Sequence, residues 1–408
     1  MPAIDFGDTA FILICAALVL FMTPGLALFY GGLVRSKNVL STTMHSFFAM
    51  GLISVIWAVV GYTIAFGSAE GPLGAFIGSF DHIGLAGTVG EVSGTIPTPV
   101  FAMFQGMFAI ITAALITGAF AERIKFSAYA IFIGLWSILV YSPLAHWVWG
   151  GGWLMQRGAL DFAGGTVVHI ASAAAALAGA VVVGKRKGYG TTNFQPHNLP
   201  MTVLGAGILW FGWFGFNAGS ALAANELAGT AFMATHLSAA AAMLSWLALE
   251  RVQHGKATTL GAASGAVAGL VGITPAAGFV GPMAAIMIGL ITGALCYFGI
   301  SLKSKLGFDD ALDVVGIHGV GGTVGALLTG VFATTAINAA GADGLLAAGN
   351  WGLMLEQAIG VVATIAFSFG VSWALFKLLD ATIGLRPDED GEEIGLDQTE
   401  HAETGYVL

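Results

Sequence analysis

Apolar residues in this chain come in long blocks divided by short charged junctions. No Asp, Glu, Lys or Arg occurs in residues 9–34, 38–69, 92–121, 126–156, 162–184, 188–225, 227–249, 257–302, 314–342 or 357–376. A helix needs roughly 20 apolar residues to cross the hydrocarbon of a bilayer. Nine of these runs hold one span each. The run 257–302 is long enough for two, and Thr274-Pro275-Ala276-Ala277-Gly278 supplies the turn between them. The pattern predicts an all-α polytopic membrane protein of eleven transmembrane helices. Residues 1–380 form one membrane domain, and 381–408 form a short tail.

Composition supports the class. Of 408 residues, 57% are hydrophobic and only 9% charged, with a mean hydropathy of +0.85. Soluble domains carry about 25% charged residues, so a water-facing surface could hardly be made from this set. Orientation follows from the basic residues. Arg35 and Lys37, Arg123 and Lys125, Lys185 to Lys187, Arg251 and Lys256, Lys303 and Lys305, and Lys377 and Arg386 follow alternate spans. Of the 14 Lys and Arg residues, only Arg157 falls on the other side. The excess of positive charge on cytoplasmic loops places the N-terminus outside and the C-terminus inside, in a cell inner (plasma) membrane. Met1 to Asp8 carry no basic region, so no cleavable signal peptide is expected.

The net charge of −9 comes largely from the tail, between Asp388 and Glu403. Acid there argues against nucleic acid and anionic lipid as partners. Cys15 and Cys296 lie in different spans and imply no disulfide framework. Gly261, Gly265 and Gly269 keep a four-residue spacing that suits close packing of helices within the chain.

An internal repeat is more informative. Asp161 stands eight residues before His169, and Asp310 eight before His318. The fifth span runs inward and the tenth outward, so the same acid-then-histidine element occurs twice in opposite directions. Two inverted halves, spans 1–5 and 6–10, give that result and place a shared site near the midplane. The eleventh span, about 351–380, is then an extra C-terminal helix. Eight residues of helix rise about 12 Å, which carries each histidine into the apolar interior. Ionisable groups at that depth are costly and point to function, so His169 and His318 are expected to share a pore. Two histidines without a nearby Cys or carboxylate are too few for zinc, and no metal or cofactor is expected. The aspartates sit near helix starts, where a carboxylate caps free N–H groups. Asp161 could also hold a cation at the outer mouth.

Aromatics crowd the third, fourth and sixth spans. Trp147, Trp153 and Trp210 read as a lipid-facing belt, and pattern alone leans the same way for Trp149, Phe108, Trp213 and Phe216. His45 and His236 are expected to hydrogen-bond between helices. No Walker loop, dinucleotide fingerprint or Ser-His-Asp order stands out, so neither a nucleotide-driven pump nor an enzyme is expected.

At this point the residues resemble the ammonium transporter, methylammonium permease and Rhesus family, in its microbial ammonium transporter branch. The resemblance runs through PGLALFYGGLVRSKN at 24–38, FQGMFAIITAALITGAFAERIKFSA at 104–128, HWVWGGGW at 146–153, ALDFAGGTVVHI at 159–170, PHNLP at 196–200, GWFGFNAGS at 212–220, AGLVGITPAAG at 268–278 and DVVGIHGVGG at 313–322. It implies a homotrimer with a pore in each subunit that conducts ammonium or ammonia, with methylammonium as analogue. By this resemblance Trp149, Ser220 and Phe104 match the outer ammonium site, and Phe108 and Phe216 the rings that close the pore mouth. His169 and His318 match paired pore imidazoles, Asp161 a buried acid beneath the entrance, and Trp213 a pore-lining aromatic. The tail, GLRPDEDGEEIGLD at 384–397, resembles one that couples subunits and meets a PII-type signalling protein. An ammonium sensor with a cytoplasmic partner is the alternative. Sensors in the family usually carry a fused output domain, and none is expected here.

Overall fold

The computed structural model describes residues 3–406. Ten helices among them are long and apolar enough to span a bilayer, and an eleventh apolar helix is shorter. In chain order they are α1 (Phe6–Leu33), α2 (Ser36–Phe66), α3 (Thr98–Phe120), α4 (Phe126–Arg157), α5 (Gly165–Val183), α6 (Leu199–Gly219), α7 (Glu226–His254), α8 (Thr259–Ile273), α9 (Pro282–Leu306), α10 (Val315–Phe332) and α11 (Trp351–Thr382). The turn expected at 274–278 falls between α8 and α9. Fifteen residues of α8 rise only about 22 Å, short of a roughly 30 Å hydrocarbon layer. The irregular stretch after it is buried at Thr274, Ala276, Ala277 and Val280, where neighbouring helices shield its backbone from lipid. A two-residue hairpin, β1 (Val92–Ser93) with β2 (Ile96–Pro97), sits in the α2–α3 connection.

The interior is built on α3 and α5, each 83% buried, whereas α2, α7 and α11 are 39% buried and lie at the periphery. The counterparts of the two halves meet each other: α1 packs along α6, and the histidine-bearing turns of α5 and α10 come together. Glycine permits the closest approach. A Cβ on Gly205 would stand 2.3 Å from the backbone nitrogen of Phe29, so no side chain fits between α6 and α1. Gly261, Gly265 and Gly269 of α8 face Glu250, Trp246 and Ser238 of α7, which is the packing within the chain that their spacing suggested.

The ends are named outer and inner after the charge placement. At the inner end an ion network binds the helix termini. Glu122 accepts from the Arg35 backbone N–H at 2.8 Å and from Arg35 Nε at 3.1 Å, and faces Arg186 Nη1 at 3.3 Å. Asp309 accepts from Arg186 Nε at 2.9 Å and Nη2 at 2.8 Å. Burial pushes both carboxyls up. For Glu122, the hydrogen bonds and charges of Arg35, with the charge of Arg186, outweigh burial. For Asp309, the hydrogen bond from Arg186 and the charges of Arg123 and Arg186 do the same. Both carboxyls end below their ordinary values.

The tail folds back onto this face through α12 (Glu389–Ile394) and α13 (Leu396–His401). Asp397 accepts the Ser41 N–H at 2.8 Å, Glu400 the Phe126 N–H at 3.0 Å, and Lys187 pairs with Glu393 at 2.6 Å.

Candidate functional site

The site grows out of the Asp161 turn. Gly164 takes φ 118°, a conformation that L side chains rarely adopt, and an added Cβ would meet Val168 Cγ2 at 2.5 Å. That bend turns the N–H groups of Gly164, Gly165 and Thr166 onto the Asp161 carboxylate at 2.8, 2.6 and 2.8 Å. Val167 N–H and the Thr166 hydroxyl complete the set. The capping expected for Asp161 is what the structure has. Asp310 does the same for the N–H groups of Val314 and Val315, at 3.1 and 2.7 Å.

Each cap opens into a π-helical turn, Gly165–Ile170 and Val315–Gly319, and each turn carries a histidine. Such turns are rare and gather at functional sites. The two imidazoles meet at Nδ1···Nδ1 3.2 Å, with ring centroids 5.2 Å apart. Sharing one proton across that contact fixes the tautomers of a neutral pair. One ring is Nδ1–H with an accepting Nε2; the other accepts at Nδ1 and carries Nε2–H. The pair therefore offers one acceptor and one donor to a small molecule beside it. His169 Nε2 has no protein partner.

Around the rings lies a narrow space of about 10 Å³, lined by residues that include Met22, Leu26, Ile111, Leu115, Val267 and Phe216. That is about the least volume that holds one water-sized molecule. Trp213 closes one side, its ring 5.4 Å from His169 and its indole N–H donated to Thr274 Oγ1 at 2.8 Å. With that N–H engaged, the two imidazoles are the polar groups left to a molecule in this space.

Above it Phe108 and Phe216 lie 4.2 Å apart between ring centroids and separate the histidines from an outer cavity of about 210 Å³. Trp149 and Ser220 line that cavity with Phe108. The Ser220 hydroxyl donates to Phe216 O at 2.8 Å, which leaves its oxygen free to accept. Trp149 donates its indole N–H to the backbone oxygen of Asp161 at 2.8 Å, so one residue holds both the outer tryptophan and the start of the histidine turn. Phe104 is placed differently. It is fully buried and stands edge-on behind Phe108, at 5.0 Å, rather than in the lining. Gln105, Met155, Phe162 and Leu222 also line the cavity, and pattern reading missed them. Gln105 could have been found as the one amide in the apolar run 98–121. On the inner side a cavity of about 570 Å³ opens, lined by Arg186, Tyr189, Lys303 and Asp313 among others.

Several readings of pattern are corrected. Phe108, Trp213 and Phe216 are buried rather than belted in lipid, because their bulk fills the centre of the bundle. Trp147 is also buried, with its N–H on Phe76 O at 2.9 Å. Neither His45 nor His236 bridges helices through its ring. His45 is buried against Tyr129 with both nitrogens unpartnered, and His236 lies exposed beside Trp210. Among the described residues no cluster of three or more His, Cys, Asp or Glu could hold a metal.

Fold and site define a polytopic membrane protein with two inverted halves and a constricted path between two cavities. The chain belongs to the ammonium transporter family, whose model matches residues 10–406. It is 53% identical to an ammonium transporter of Bacillus subtilis (strain 168) over 406 residues, 98% of this chain and 99% of that one. Among solved structures it resembles Mep2 of Saccharomyces cerevisiae, with TM-score 0.89, 38% identity, and 95% and 88% of the two chains covered. It also resembles a sensor Amt protein, with TM-score 0.89, 30% identity, and 97% and 98% covered.

Proposed function

We propose that this protein transports ammonium across a cell membrane by taking up NH4+ outside and passing NH3 between His169 and His318. The observation that carries the reading is a pair of imidazoles in hydrogen-bond contact at an apolar constriction of about 10 Å³ between two wider cavities. In this reading Trp149, Ser220 and Phe108 hold the cation, and Phe104 backs the Phe108 ring. Each cation–π contact is worth about 0.5–2 kcal/mol, for potassium as well as ammonium.

Selection comes deeper. Carrying a bare charge through the bilayer centre costs roughly 10–17 kcal/mol. Neutralising an alkylammonium-like group of pKa about 10.4 at pH 7 costs only about 4–5 kcal/mol. Shedding the proton wins, and potassium has none to shed. Deprotonation takes place near Phe108 and Phe216, beneath the site buttressed by Asp161. Trp213 walls the path, the imidazole pair exchanges hydrogen bonds with NH3 and can relay a proton, and the solute is protonated again inside.

The test is a solid-supported membrane current assay on reconstituted protein, comparing ammonium, methylammonium and potassium. His169→Ala with His318→Ala is expected to abolish selective ammonium currents. Unchanged selective transport by that variant defeats the assignment. A wild type that folds and binds ammonium but carries none favours the sensor reading, to which the likeness to the sensor Amt protein lends support.

We further propose a homotrimer in the cell inner membrane, with the folded tail meeting a PII-type protein. Size exclusion with light scattering is expected to give three chains per particle and co-elution with a cognate PII protein in one of its effector states. Monomers, or no co-elution in any state, remove the respective claim.

A further inference from the structure

The extra helix α11 stands outside the inverted repeat, yet it carries the amide most fully engaged with the site. Gln357 is 2% exposed and spends every hydrogen-bonding group of its side chain on backbone. Its Oε1 accepts the Leu160 N–H at 2.7 Å, and its Nε2 donates to Leu160 O at 2.8 Å and to Ala326 O at 2.9 Å. Leu160 is thus gripped at both its N–H and its C=O, as a residue is gripped by a neighbouring strand. The next residue is Asp161, whose backbone oxygen holds Trp149 and whose carboxylate caps the His169 turn. Ala326 belongs to α10, the helix of His318. One side chain therefore fastens the base of the outer site to the opposite half of the repeat.

A buried amide costs several kcal/mol unless all its groups are paired, and an aliphatic residue would fill this place on a spanning helix without that demand. Beside it Glu356 pairs with Arg157 at 2.7 Å at the exposed outer end of α11, where screening by water makes the tie weak. The deeper polar ties of α11 run elsewhere. Ser368 donates to Ala171 O at 2.7 Å, and Ser372 accepts the Trp136 indole N–H at 3.0 Å.

We propose that Gln357 is a positioning residue that sets where Trp149 stands over the pore, acting through Leu160 and Asp161. The proposal rests on Trp149 belonging to the ammonium site. The full-length protein in proteoliposomes is compared with Gln357→Leu, Gln357→Glu, Ser372→Ala and Trp149→Leu, reading apparent KM and maximal rate for ammonium together with Tm. Misplacing a binding group by about 1 Å can cost up to about 100-fold, so Gln357→Leu is expected to raise KM roughly tenfold or more, and by more than it lowers maximal rate. Gln357→Glu, which keeps an acceptor for the Leu160 N–H, falls between. Ser372→Ala loses a buried bond on the same helix, lowers Tm, and leaves KM unchanged.

A raised KM in Trp149→Leu with an unchanged one in folded Gln357→Leu overturns the clasp alone. An equal KM shift in Ser372→Ala also overturns it, because the effect is then general loosening. An unchanged KM in Trp149→Leu removes the outer-site reading itself. Where Gln357→Leu does not fold, Gln357→Glu decides: KM raised at a preserved Tm supports the clasp, and an unchanged KM sinks it.

Discussion

The two aspartate turns are built on one plan and furnished differently. In both, the third residue after the acid takes a positive φ, and a π-helical turn with a histidine follows. At the outer turn that residue is Gly164, at φ 118°; at the inner turn it is Asp313, at φ 62°. The outer carboxylate is saturated by backbone N–H groups and a hydroxyl from its own turn. The inner one accepts two backbone N–H groups, and a cation stands beside it. Lys303 donates to Asp310 O at 2.9 Å and pairs with Asp313 at 2.6 Å. In the proposed function, a carboxylate whose lone pairs are spent on its own helix braces the route without trapping a cation. The inner turn opens on the wider cavity and settles its charge with a lysine instead.

The comparison is broken most directly at the caps. Asp161→Ala leaves the N–H groups of Gly164, Gly165 and Thr166 buried without partners, at about 1–3 kcal/mol each. Uptake in proteoliposomes is expected to be lost, with a large fall in Tm. Asp310→Ala strips two N–H groups beside a cavity that water can enter, so its fall in Tm is expected to be smaller and its transport partly kept. Equal effects would mean that the difference in saturation carries no energetic weight.

The smallest effect separates the neutral pore from the ionic inner end. Glu122 and Asp309 sit below their ordinary values because their arginine partners outweigh burial. A depressed carboxylate contributes stability that is present above its unfolded pKa, about 4, and lost as pH falls through the lower folded value. Tm is therefore expected to hold from pH 7 to 5 and to drop in stronger acid. Glu122→Gln is expected to lower the plateau and flatten the drop. A Tm that declines steadily between pH 7 and 5 would place the sensitive group elsewhere.

Much of this was legible in the letters. Eleven spans follow from gaps between charges, because lipid forbids what water tolerates, and even the short α8 declared itself through Thr274-Pro275. The paired histidines followed from repeat spacing. The burial of Phe108, Trp213 and Phe216 did not, since periodicity shows that a helix is apolar all round without saying which neighbour covers it. The π-helical turns were hidden because no residue type marks one. Gln357 left a trace as the single amide at the head of an apolar run, but its partners are backbone atoms whose positions no side-chain pattern encodes.

A π-helical turn holds one residue more than the α-helical turn it replaces. Removing one residue between Gly165 and Val168 can be absorbed by relaxation to ordinary helix, leaving Ala171 onward seated as before. Only the residues of the turn ahead of the deletion would step round the axis, by up to about 100°. Insertions and deletions here can thus exchange which side chain faces the channel while the surrounding bundle keeps its register, so the lining can diverge faster than the scaffold around it.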